Sequence, residues 1–506
     1  MTNALLRRCA PLLLLMPHAL HAIPEGPMPN TPEWFAREQA NYARATATPV
    51  EHAQPAFELR LHQQGLVNEQ AYVERAAADP SWLDPRSGNA NLLPLCASWD
   101  MPCAGDPFRY PGAPGPDGAA FYDNEGEVIP VVFYDRGCAR ISGRVWAPRG
   151  GNKNKALPAV VIETGSVQAP ETLYWWMAQS LVRAGYATMT FDVRGQGRSD
   201  FQSPSGEQGG NANSAVFFEG LVDAIDFFRS TPEHPYPHNA SCAGTYATAV
   251  TPFNPQHARI DPERLGIAGH SLGASGVSAV QGYEGSAFRF PDKKGGNPVD
   301  VLVAWDSLSA NDNPRVPAMG HTSEYGLTPV PKTSAPDPES HKNGFRAWQT
   351  KGLPVFQLTI QGSTHYEWSL IPAVPFASFP ASSWCPAPES EHCSGGWGNP
   401  MAEHYSLAWF DRWLKNPGEA GYDTADARLL DDARWLERYS FYYRSARSFP
   451  DRRNKVHACD DIRAGCADAT TAPKASSGAV LGAGSIGSGT LLFLLAAAGL
   501  GARRRR

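Results

Sequence analysis

The sequence carries little excess charge of either sign: 44 Lys and Arg stand against 50 Asp and Glu, a net charge of −6 at pH 7. That balance supplies no electrostatic footprint with which to gather nucleic acid. There is no C-x-x-C pair, the spacing that most often announces a zinc site. No internal repeat is visible, so the chain reads as something other than a solenoid or an array of modules. What the sequence does have is length, turns and rings. Its 506 residues can bury a large core with room for appendages. The 47 Gly and 45 Pro are interleaved with 22 Phe, 17 Tyr and 14 Trp, which points to a packed protein with many turns and long loops.

Long apolar runs sit at the two ends. MTNALLRRCAPLLLLMPHALHAIP places Arg7 and Arg8 before an apolar stretch that closes on small residues at Ala22. That is the layout of a secretory signal peptide over residues 1–22, with cleavage expected after Ala22. At the other end no charge interrupts Ala475 to Ala502, and Arg503–Arg506 follow. The stretch is long enough to cross a bilayer, with the arginines on the cytoplasmic side. Glycines, apolar segment and arginine tail together resemble bacterial Gly-Gly C-terminal sorting signals cut by rhomboid-type proteases. The resemblance implies an exported, secreted or cell-surface protein handled by a sorting protease, with membrane contact confined to residues 475–506. A permanent C-terminal anchor is the alternative.

Cysteine usage agrees with export. Beyond Cys9 the chain has Cys96, Cys103, Cys138, Cys242, Cys385, Cys393, Cys459 and Cys466. Eight cysteines allow many pairings, but 96 with 103, 385 with 393 and 459 with 466 are close in sequence. Elimination would then pair Cys138 with Cys242. Four disulfides in an oxidising compartment are the expectation, with the connectivity left open.

Residues 23–125 are rich in Pro, Asn, Asp and Trp, with helical periodicity only near Thr31–Ala45 and Asn68–Ala78. They read as an extension without assignable chemistry. Regular alternation starts at about residue 126. Val128–Asp135 and Ala139–Pro148 read as a strand pair, and Pro158–Gly165, Ala187–Gly195, Leu265–Gly269, Val299–Asp306, Arg315–Gly320 and Pro354–Gly362 as further strands. Helical spacing marks Leu173–Tyr186, Ala215–Ser230, the stretch from Ala274 and His404–Lys415. Strands alternating with helices predict an α/β fold, a mainly parallel sheet flanked by helices, over residues 126–470. Three long insertions interrupt it, at Thr231–Gln256, Gly326–Lys351 and Trp368–Glu403.

RLGIAGHSLGASGV contains Gly269-His270-Ser271-Leu272-Gly273, a Gly-x-Ser-x-Gly pentapeptide between a predicted strand and a predicted helix. In that context Ser271 sits on a sharp elbow with its hydroxyl exposed, and the Leu272 N–H faces a developing oxyanion. A serine hydroxyl needs a base. His365, in the turn after the last predicted strand, is favoured over His404, which opens a helix, and over His270, which points away from its neighbour Ser271. The orienting carboxylate should end a strand between Ser271 and His365. Glu324 is preferred and Asp306 is the alternative. The second oxyanion donor is expected at the Ser166 N–H, in IETGSVQ. Asp192, in DVRGQGRSD, reads as a brace for its own turn.

These pieces resemble the α/β-hydrolases, and within that fold the secreted lipase, cutinase and polyester-hydrolase group, over roughly Val128–Lys415. TGSVQ with YWWMAQSLVRAGY is similar to the group's oxyanion loop and Trp-containing helix, GHSLG to its nucleophile elbow, MGHTSE to its strand-end acid, and QGSTHYEW to its histidine loop. The residues before 126 and the three insertions depart from that pattern, as does Glu324 where the group usually has Asp. The resemblance implies a serine carboxylic-ester hydrolase acting through an acyl-enzyme on a small or polymeric ester, without cofactor or metal. Trp305, Trp175 and Trp368 are the candidates for lining its apolar pocket. DVRGQGRSD is similar to Xaa-Pro dipeptidyl-peptidase relatives, which keeps a serine peptidase in view, and a non-catalytic surface binding protein is the third reading.

Overall fold

Hydrophobic side chains recur on both faces of the central strands, and in the computed structural model those strands lie between two helical layers. The structure describes residues 30–45, 77–83, 121–150, 156–166, 170–310, 313–327, 330–365, 367–369 and 399–466. The expected signal peptide, the C-terminal segment, residues 68–76 of the helix expected near Asn68–Ala78, and Cys96, Cys103, Cys385 and Cys393 lie outside these residues. Among the described residues, no helix is long and apolar enough to cross a membrane.

A ten-stranded mixed sheet carries the fold. Its strands are β1 (Gly126–Tyr134), β2 (Arg140–Pro148), β3 (Leu157–Glu163), β4 (Ala187–Phe191), β5 (Ile260–His270), β6 (Val299–Trp305), β7 (Ala318–Ser323), β8 (Val355–Ile360), β9 (Ala446–Pro450) and β10 (Val456–Cys459). The spatial order is β1-β2-β4-β3-β5-β6-β7-β8-β9-β10. Neighbours from β4 to β8 run parallel, and antiparallel pairs close both sides. Helices α2 (Trp175–Arg183), α3 (Val216–Arg229), α4 (Leu272–Val280), α5 (Asn343–Thr350) and α6 (Asn399–Leu414) follow strands in the chain, while α1 (Pro32–Ala45) precedes them all.

Alternation along a strand sends successive side chains to opposite faces. Val160 and Ile162 of β3 join the core beneath α2 and α6, while Ala159 and Val161 join the core beneath α3, α4 and α5. Burial on both faces explains why the central strands read as continuous apolar runs. Strands β9 and β10 have no such run. ARSFP and VHAC are short and mix polar with apolar residues without a clear period, so nothing in their local pattern announces them.

Two disulfides lie among the described residues, Cys138–Cys242 and Cys459–Cys466. The first ties the β1–β2 turn to the insertion over 231–256. Two described pieces of the expected extension pack against the rest of the chain. Trp34 of α1 is buried against Tyr442 and Tyr443, and Glu38 of α1 accepts from the Lys332 main-chain N–H. Asp79 meets the fully buried Arg140, whose main partner is Asp200 at 3.0 Å.

Candidate active site

Strand β5 runs into Ser271, and α4 starts at the next residue. Between them Ser271 adopts φ 59°, ψ −118°, a conformation that costs an L-residue energy and survives only where its surroundings impose it. The two flanking glycines explain how the elbow is possible. A Cβ on Gly269 would lie 2.3 Å from the Gly273 carbonyl oxygen, and one on Gly273 would lie 2.4 Å from the Thr164 carbonyl oxygen. Any side chain there would collide with backbone.

The imidazole of His365 reaches this elbow from the turn after β8. Its Nε2 stands 2.9 Å from Ser271 Oγ, and its Nδ1 stands 2.7 Å from Asp306 Oδ2. Register places the acid. His270 pairs with Trp305 across β5 and β6, so the residues that follow, Ser271 and Asp306, leave adjacent strand ends at the same level. The Asp306 carboxylate also accepts the Ser323 N–H at 2.8 Å and the Ser323 hydroxyl at 2.7 Å. Burial pushes its pKa up, but the His365 hydrogen bond and charge and the Ser323 donors outweigh that and hold it below the usual carboxylate range.

Glu324 is not the partner of the imidazole. Ser323 turns toward Asp306, so the alternation along β7 turns the next side chain away. Glu324 is buried, with Oε2 accepting the Gly362 N–H and Oε1 the Ser440 hydroxyl, each at 2.5 Å. It fastens the turn leading to His365 instead of orienting the ring. His404 stays on α6, where its Nε2 faces the Arg428 carbonyl at 3.0 Å.

On the side of Ser271 facing β3, the chain passes as Thr164-Gly165-Ser166. A Cβ added to Gly165 would come within 3.3 Å of Ser271 Cβ, so this backbone runs directly beside the nucleophile candidate. Ser166 is half-buried there. Leu272 is the first residue of α4, where a backbone N–H has no partner within the helix. The Gly165 carbonyl accepts from Gln196 Nε2 at 2.6 Å, which gives DVRGQGRSD a role as a support of this turn. Asp192 braces the same motif by accepting the Arg198 N–H at 2.8 Å and the Glu171 N–H at 2.6 Å.

The three tryptophans expected to line a pocket are all without exposed surface. Trp175 packs edge-on against Trp146 under the Arg144 guanidinium. Trp305 packs on Trp176 and donates to Ser406 Oγ at 3.2 Å. Trp368 donates to His321 Nδ1 at 2.9 Å. Each is core. A strand-end or helix-start Trp looks the same in sequence whether its ring faces a cleft or the sheet.

Sequence reasoning missed two residues. Ser323 had no signal beyond its place before Glu324. His270 was set aside as a base because it points away from Ser271, and its contacts to His365 went unanticipated: its Nε2 lies 2.7 Å from the His365 carbonyl oxygen, with the two rings 4.7 Å apart. Among the described residues no cluster of His, Cys, Asp and Glu could hold a metal ion. Comparison with known proteins finds no family model that matches this chain and no curated protein similar to it, so its chemistry is read from Ser271, His365 and Asp306 themselves.

Proposed function

We propose that this chain is a serine hydrolase of the α/β-hydrolase fold that cleaves carboxylic esters through an acyl-enzyme. The observation that carries the reading is the hydrogen-bond chain from Ser271 Oγ to His365 at 2.9 Å and on to Asp306 at 2.7 Å. The chain order Ser, acid, His and the strained strand–Ser–helix elbow both suit an α/β-hydrolase. In this mechanism neutral His365 takes the Ser271 proton at Nε2 as the hydroxyl attacks the ester carbonyl. Asp306 keeps Nδ1 protonated and stabilises the imidazolium that forms. The Leu272 N–H, and the Ser166 N–H from the adjacent turn, are assigned to the oxyanion. The imidazolium then protonates the leaving alcohol, and water resolves the acyl-enzyme by the same route in reverse.

The test is hydrolysis of p-nitrophenyl acetate by wild type and Ser271→Ala. Wild-type turnover that falls by about 10⁴-fold or more in the variant supports the reading. Equal rates in the two proteins overturn it and leave the binding-protein alternative. Parallel assays on triglycerides, polyester film and a proline-peptide amide separate lipase, polyesterase and peptidase. Export fits the two disulfides, and the intact mass of the secreted protein tests removal of residues 1–22 and of the segment after Lys474.

A further inference from the structure

Beneath Ser271 a line of hydrogen bonds joins two loops that are far apart in the chain. The Gly165 N–H donates to Tyr174 Oη at 2.9 Å, Tyr174 Oη lies 2.9 Å from His270 Nδ1, and His270 Nε2 lies 2.7 Å from the His365 carbonyl oxygen. The direction of each bond follows from chemistry. A carbonyl oxygen only accepts, so Nε2 carries the proton. In a neutral imidazole Nδ1 is then an acceptor, and the Tyr174 hydroxyl must donate to it. His270 is 3% exposed and Tyr174 is fully buried. Burial pushes the His270 pKa down to about 3, with the His365 charge acting in the same direction, so the neutral tautomer is the resident form.

Resting on the reading above, we propose that Tyr174 and His270 are positioning residues that lock the Gly165–Ser166 turn and the His365 backbone to one another across the nucleophile. The relay meets the machinery where position matters most. At one end is the peptide next to the assigned oxyanion donor. At the other is the carbonyl of the base itself, whose own N–H is held by the Gly326 carbonyl at 2.8 Å. His365 is therefore gripped at both of its main-chain polar groups, by the end of β5 and by the turn after β7. Displacing a catalytic group by a fraction of an ångström costs rate without costing ground-state affinity. Neither Tyr174 nor His270 needs to touch substrate for this.

The experiment compares Tyr174→Phe, His270→Leu, His270→Gln and Tyr174→Phe/His270→Leu on p-nitrophenyl acetate, with Ser271→Ala and Tyr186→Phe as controls. Tyr186 donates a buried hydroxyl to Asp411 at 2.7 Å, away from the triad, so its loss reports on stability alone. The relay predicts kcat down by about tenfold in Tyr174→Phe and more in His270→Leu, with KM moved by less than about twofold. The double variant should fall no further than His270→Leu, because one broken link already uncouples the loops. His270→Gln, whose amide can again donate to the His365 carbonyl, should recover most of the loss. Full kcat in Tyr174→Phe and His270→Leu, additive losses, or losses equal to those in Tyr186→Phe would each overturn the relay. Ester turnover that is the same in wild type and Ser271→Ala would overturn the hydrolase reading instead, and the two failures are distinct.

Discussion

Ser323 grips both oxygens of the Asp306 carboxylate, its N–H on Oδ1 at 2.8 Å and its hydroxyl on Oδ2 at 2.7 Å. Charge on Asp306 is thus stabilised in place before it orients His365. The carboxyl next in sequence to Ser323, Glu324, is turned away and held by Gly362 and Ser440. The two acids should therefore fail in opposite ways. Asp306→Asn is expected to lower kcat by about 10³–10⁴-fold with little change in melting temperature, through loss of the correct imidazole tautomer. Glu324→Gln is expected to keep kcat near wild type and to lose about 1–3 kcal/mol of stability, since an amide N–H would face a buried donor. Steady-state kinetics and urea titration of both variants check the contrast.

Gly273→Ala tests the elbow. Its new Cβ would sit 2.4 Å from the Thr164 carbonyl oxygen, a backbone atom that cannot step aside cheaply. A loss of about 1–3 kcal/mol and a fall in kcat are expected. Gly220→Ala, on α3, meets nothing nearer than 3.5 Å and should gain up to about 1 kcal/mol. Thermal melts of the pair measure the difference.

His321 is fully buried, accepts from Trp368 Nε1, and has its pKa lowered to about 3 by burial. Because the folded value lies below the ordinary one, between about pH 3 and 6.5 the unfolded chain binds a proton at this site that the folded chain does not. Its contribution is present above that window and declines as pH falls. From pH 7 to pH 5 the wild type should lose about 2 kcal/mol through this group alone. His321→Leu removes that dependence, so the stability gap between variant and wild type should shrink by that amount at pH 5. A gap that is constant with pH refutes the assignment.

The two disulfides close loops of very different size, with separations of 104 and 7 residues. Chain-entropy arguments give about 5 kcal/mol for the first and about 2 kcal/mol for the second. Paired Cys→Ala replacement should therefore cost more at Cys138/Cys242 than at Cys459/Cys466, as read by denaturant titration.

The fold was legible where local pattern and burial agree. The central strands are buried on both faces and read as apolar runs, and Gly269-x-Ser271-x-Gly273 marks its own elbow because only glycine fits beside it. The antiparallel strands β9 and β10 were not legible, since short strands of a few mixed polar and apolar residues look like loop. The triad acid was ambiguous for a related reason. Asp306 and Glu324 both end apolar strands, and only the β5–β6 register decides which one stands level with Ser271. Rotation of a side chain about its backbone leaves no trace in local sequence, which is why Trp175, Trp305 and Trp368 were expected to line a cleft and the contact of His270 with the His365 carbonyl was not foreseen.

Glu324, displaced from chemistry, binds the turn before His365 on one side and Ser440 on the other, deep inside the protein. A polypeptide emerging from its synthesis cannot complete that three-way junction until residue 440 has been made, long after Ser271 and His365 are in hand. On the proposed reading, hydrolytic competence then waits for the chain through residue 440, and ribosome-stalled fragments ending short of it would carry Ser271, Asp306 and His365 yet lack the Ser440 donor to that buried carboxylate.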